Sequence, residues 1–86
     1  MIENQIKQSA KTLQRELALV KVEATGSDQD RALSIVGAWS GRLLDLGPAH
    51  FTAEVSADPE KVSLFIDALQ PFGLAACFRS GAVTLA

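Results

Sequence analysis

Two stretches of the chain carry the same succession of hydrophobic and polar patterns, from Glu16 to Arg42 and again from Thr52 to Arg79. In the first, Ala18, Val20 and Val22 alternate with Leu17, Leu19, Lys21 and Glu23, the two-residue period of a strand over Glu16 to Ala24. Ala32, Ile35, Val36 and Trp39 then recur at helical spacing, predicting a helix from Asp28 to Ser40 that Gly41 ends. Arg42 to Leu46 reads as a second strand, and Gly47-Pro48-Ala49 turns the chain back. In the second stretch, Phe51, Ala53 and Val55 alternate with Thr52, Glu54 and Ser56, a third strand reaching Ala57. Asp58-Pro59 is a helix start, a capping residue followed by proline in the first turn. Val62, Phe65, Ile66 and Leu69 form the stripe of that helix, which Pro71 stops and Gly73 turns. Leu74 to Arg79 is the fourth strand, and Val83 to Leu85 extends the edge.

A doubled β-α-β of this length predicts an α+β sandwich of the ferredoxin-like kind, βαββαβ. Right-handed crossovers then order a four-stranded antiparallel sheet 4-1-3-2 with both helices on one face. The other face has no cover of its own. Leu17, Leu19, Leu43 and part of Cys77 are expected there, and burying each large side chain against a partner is worth about 1.5–3 kcal/mol. Leu17, Leu19, Lys21, Leu43 and Arg79 are therefore the candidate partner interface. Residues 1–14 form a polar lead-in, read as either a short helix or a frayed segment, ahead of one domain over 15–86.

Composition narrows the function classes. With 86 residues the chain is one domain, small enough that a partner surface would add to its stability. A net charge of -2 with mixed signs argues against nucleic acid, which selects a basic face. No apolar run approaches the roughly 20 residues of a membrane span. The single Cys77 cannot form an internal disulfide, which is consistent with a reducing cytoplasm.

Candidate chemistry is sparse. His50, the one histidine, sits beside a turn, and a zinc site would need three or four ligands. Cys77 lies in a strand with no histidine near in sequence, so it reads as a buried or half-buried structural thiol. Lys21, Glu54 and Arg79 are expected as an outward polar cluster across three strands. Gly26, Ser27 and Asp28 offer backbone donors at a helix start, a candidate ligand site set against the simpler reading of a turn with a cap. No catalytic residue, metal or cofactor is expected.

With the elements placed, several segments resemble a known family. Arg15-Glu16-Leu17-Ala18-Leu19-Val20-Lys21-Val22, Arg42-Leu43-Leu44-Asp45-Leu46-Gly47-Pro48 and Phe51-Thr52-Ala53-Glu54-Val55 resemble the C-terminal domain of the acetolactate synthase (acetohydroxyacid synthase) small subunit. The likeness continues through Asp58-Pro59-Glu60-Lys61-Val62, Leu69-Gln70-Pro71-Phe72-Gly73-Leu74 and Arg79-Ser80-Gly81-Ala82-Val83-Thr84-Leu85. The resemblance implies an ACT-like domain in a non-catalytic, cytoplasmic regulatory subunit of branched-chain amino-acid biosynthesis. It implies a thiamine-diphosphate-dependent catalytic subunit as partner, with thiamine diphosphate, magnesium and flavin all on that partner, together with a homodimer and an amino-acid effector. A free-standing ACT-like amino-acid sensor is the alternative.

The departures qualify this. Family members place an ACT domain first, with an Asn-x-x-Gly type loop where valine binds. Here Thr25-Gly26-Ser27-Asp28 lacks that pattern. Ala82 stands where the family has a basic residue, and Trp39-Ser40-Gly41 where it has Phe-Arg-Ala. The expectation is a divergent or truncated member, either a free-standing domain or an excised one.

Overall fold

The computed structural model describes residues 13–81 and 83–85. Residues 1–12, the greater part of the lead-in, lie outside the described residues, whereas Leu13 and Gln14 already belong to the first strand. The elements run β1 (Leu13–Val22), α1 (Gly26–Ala38), β2 (Arg42–Gly47), β3 (His50–Ala57) and α2 (Pro59–Leu69). A 3-10 turn (Gln70–Phe72), β4 (Leu74–Arg79) and β5 (Val83–Leu85) follow. The sheet order is β2-β3-β1-β4 with every pairing antiparallel, which is the 4-1-3-2 arrangement expected of a ferredoxin-like βαββαβ domain. β5 pairs with the opening of β1, Leu13 opposite Leu85 and Arg15 opposite Val83.

The core forms between one sheet face and the two helices. Ala18, Val20 and Val22 on β1 and Phe51, Ala53 and Val55 on β3 are buried together with Ala32, Val36, Val62, Phe65, Ile66 and Leu69. These are the alternating and helical positions of the sequence pattern. Trp39 closes one end, its ring meeting Phe65 edge-on at a centroid distance of 5.9 Å.

α2 starts where its sequence says it should. Asp58 caps it by accepting the Glu60 N–H at 2.9 Å, and Pro59 occupies the first turn. α1 ends two residues before the expected Ser40, and Gly41 is not its left-handed residue. Ser40 takes that role at φ 55. Its N–H donates to Gly37 O at 3.0 Å and the Gly41 N–H donates to Val36 O at 2.8 Å, the paired bonds of a Schellman motif. Gly41 is needed for a different reason: a Cβ there would lie 2.8 Å from Val36 Cγ1 and 3.1 Å from Glu54 O. Gly73 does turn the chain with φ 89, pressed so close to Glu23 that a Cβ would collide with its carbonyl oxygen.

Two irregularities shift the faces of the edge strands. Between β2 and β3, Leu43 opposes Ala53 and Asp45 opposes Thr52, leaving Leu44 as an extra residue. Between β1 and β4, Lys21 opposes Ala76 and Val22 opposes Leu74, leaving Ala75 extra.

Candidate docking surface

The sheet face away from the helices is built by alternation. On β1 it receives Leu17, Leu19 and Lys21, which lie opposite Ser56, Glu54 and Thr52 on β3. On β4 it receives Phe78 opposite Leu19 and Ala76 opposite Lys21. Leu17 is 37% exposed and Phe78 57%, so the centre of this face is apolar and open to water. Leu19, Ala76 and Phe78 line a shallow hollow of about 200 Å³, bordered by Lys21 and Thr52. Arg42 and Glu54 form an ion pair at 3.7 Å on the rim.

Three of the five candidate interface residues, Leu17, Leu19 and Lys21, share this face. Leu43 and Arg79 do not. Leu43 pairs with buried Ala53 and Arg79 with buried Ala18, which puts both on the helix side. Cys77, opposite Val20, is also on the helix side and is exposed rather than buried, because α2 packs mainly over β1 and β3 and meets edge strand β4 near its end at Arg79. Phe78 is the apolar residue of the open face that sequence reasoning missed. Its only sequence signal was its alternation with Cys77, and assigning that alternation to the wrong face exchanged the two residues.

Arg79 instead completes a clamp. Its guanidinium donates to Glu16 Oε1 at 2.6 Å, to Ser63 Oγ at 2.9 Å and to the Pro59 carbonyl at 3.0 Å. Glu16 is 5% exposed, and its Oε2 accepts the Gly81 N–H at 3.0 Å. The Arg79 hydrogen bond, helped by the Gly81 amide and opposed by burial, holds the Glu16 carboxyl below its ordinary value; Glu16 in turn raises Arg79. The expected cluster of Lys21, Glu54 and Arg79 is thus divided between the two faces.

Gly26, Ser27 and Asp28 are exposed at the opposite end of the sheet, where Thr25 makes no side-chain capping bond. That end is tied together by Gln29, whose amide donates to Gly47 O at 2.9 Å, and by the Ala24 N–H donating to Ala49 O at 3.1 Å. Gly26, Ser27 and Asp28 line neither the hollow of the open face nor the two hollows beside Trp39. His50 Nε2 meets Asp45 Oδ2 at 3.0 Å across the β2–β3 hairpin. Cys77 lies two strands away, roughly 10 Å at ordinary strand spacing, so the pair makes no nucleophile and base. No group of three or more His, Cys, Asp or Glu suited to a metal occurs among the described residues. No helix among them is long and apolar enough to cross a membrane.

A family described as the small subunit of acetolactate synthase matches residues 15–86. The chain belongs to the acetolactate synthase small-subunit family. The small subunit of Aquifex aeolicus is 36% identical over 74 residues, 85% of this chain and 38% of its own length. The probable small subunit of Methanothermobacter thermautotrophicus is 36% identical over 73 residues, 84% of this chain and 44% of its own length. The chain therefore spans less than half the length of these relatives. The crystal structure of the small subunit from Thermotoga maritima superposes with a TM-score of 0.76 at 24% identity, over 95% of this chain and 60% of that one. The ACT domain of GTP pyrophosphokinase from Chlorobium tepidum superposes with a TM-score of 0.53 at 11% identity, over 76% of this chain and 95% of that one. These likenesses establish the ACT-like fold.

Proposed function

We propose that this domain belongs to a non-catalytic regulatory subunit that docks on the thiamine-diphosphate-dependent catalytic subunit of acetolactate synthase and modulates its activity. Membership of the small-subunit family supports the partner. The observation that carries the docking is the uncovered sheet face, where Leu17, Leu19 and Phe78 stand exposed or half-buried on a two-strand platform. A docked domain changes turnover only through its differential affinity for the active conformation, so its effect is a shift of population and not a chemical contribution. The test mixes the domain with the catalytic subunit and follows complex formation and turnover. Binding with altered turnover supports the proposal, and Phe78→Glu should abolish both while leaving the fold intact. A mixture showing neither complex nor changed turnover would refute it.

A homodimer has its own surface in this proposal. Edge strand β2 exposes Leu43, Leu44 and Leu46 at 42%, 47% and 54%, an apolar edge suited to a second copy. Leu46→Asp should turn a sedimenting dimer into monomer without preventing the first interaction. An effector at Gly26, Ser27 and Asp28 belongs to the sensor alternative. A thermal-shift panel of amino acids addresses it, because ligand at about 100 times its dissociation constant adds roughly 2.7 kcal/mol.

A further inference from the structure

Where β2 begins, a short piece of β3 has no neighbouring strand among the described residues. The Leu17 N–H donates to Ser80 Oγ at 3.0 Å, and Leu17 O accepts the Ser80 N–H at 2.9 Å. Both polar groups of Leu17 therefore face β4, and Ser56, its antiparallel partner, turns its own N–H and C=O away from β1. β2 would meet them, but its register starts with Arg42 opposite Glu54. The turn at Ser40 and Gly41 holds the preceding chain on α1 through the bond to Val36 O. Arg15 Nη2 donates to the Ser56 carbonyl at 2.7 Å, whereas the Ser56 N–H faces no strand among the described residues.

This gap opens into two adjoining hollows of about 320 and 520 Å³ that share Arg15, Trp39 and Ser40. Arg42 lies in the smaller, Lys61 and Leu64 in the larger. The two acids among the linings are already engaged: Glu54 pairs with Arg42, and Asp58 caps α2. Lys61 is exposed and has no ion pair among the described residues, and Leu64 is 58% exposed beside it. The two linings together hold three cations, Arg15, Arg42 and Lys61, against two acids, a local excess of one positive charge in a protein of net charge -2, beside a main-chain donor that no described strand meets.

We propose that this groove seats an extended acidic segment of a partner protein. Its main chain meets Ser56, its carboxylates lie against Arg15 and Lys61, and an apolar side chain rests on Trp39 and Leu64. The open, two-part shape suits a strand crossing the groove, and the pairing is a short case of strand addition at a sheet edge. The proposal goes beyond the regulatory reading and stands without it, since it concerns a different surface and is tested on this chain alone.

The probe is the peptide Ac-Leu-Glu-Val-Glu-Thr-Glu-NH2, titrated at low salt into the labelled protein and followed by amide chemical shifts. Shifts centred on Ser40, Ser56 and Lys61 that weaken as salt is added are expected. Lys61→Glu should weaken binding on the order of tenfold, since it replaces an attraction by a repulsion at an exposed pair. Ser56→Pro removes the edge donor and should abolish binding. Should that variant fail to fold, Lys61→Glu, at an exposed side chain, decides the matter. Equal binding of the all-Gln peptide, shifts confined to the Leu19 and Phe78 face, or no shifts at millimolar peptide would each overturn the proposal.

Discussion

The two β-α-β halves repeat one plan, yet their helices hold to the sheet differently. α2 buries Val62, Phe65, Ile66 and Leu69 and starts with a capped, proline-led first turn. α1 buries only Ala32 and Val36, starts at Thr25 without a side-chain cap, and ends through a left-handed Ser40. The strands that follow differ as well. β4 is clamped to β1 by Arg79 on Glu16, whereas β2 runs along the other edge with three leucines exposed. The repeat thus sets an anchored half beside a looser one: the proposed β2 edge belongs to the looser half, and the groove below Ser40 lies between the end of α1 and the start of the anchored α2.

The largest expected effect tests the anchored helix. Phe65→Ala should cost about 3–5 kcal/mol in denaturant unfolding, because it empties the centre of the core and removes the edge contact with Trp39. Val36→Ala on α1 should cost about 2 kcal/mol, two methylene equivalents plus some cavity. Equal losses at the two sites would erase the contrast.

Acid titration probes the clamp. The Glu16 carboxyl is held below its ordinary value, so its contribution to stability is fully present above the unfolded value, near 4.5. That contribution is lost as pH falls through the lower folded value. Glu16→Gln should therefore flatten this acid limb of the stability curve in urea unfolding.

Capping separates the helices on a smaller scale. Asp58→Ala should cost about 1 kcal/mol, since it strips the bond to the Glu60 N–H, and Thr25→Ala should change thermal stability by only a few tenths of that. Smallest is the gain expected from Ser40→Gly, about 0.5–1 kcal/mol, as glycine relieves the left-handed backbone at φ 55.

The elements were legible because each has its own period. Ala18-Val20-Val22 and Phe51-Ala53-Val55 declared the buried face of the two central strands, and Val62 to Leu69 declared that of α2. The edge strands did not declare theirs. Arg42-Leu43-Leu44-Asp45-Leu46 and Leu74-Ala75-Ala76-Cys77-Phe78 lack clean alternation, and each contains a bulge that displaces the register by one residue. A displacement of one exchanges the two faces, which is why Leu43, Cys77 and Arg79 moved to the helix side and Phe78 to the open one. The family segments were legible as well, since the residues of the resemblance lie within the matched 15–86.

Sequence alone settled what short-range chemistry controls: the order of strands and helices, the α2 cap, the stripe that makes the core, and through right-handed crossovers the sheet order. Tertiary structure decided what depends on two distant segments meeting. Only the fold brings Glu16 to Arg79, sixty-three positions along the chain, and lets a buried carboxylate keep its charge. Only the fold starts β2 too late to cover Ser56. Local patterns select elements residue by residue, but a bulge, a clamp or an open edge arises from how two elements register against each other, and neither carries that information alone.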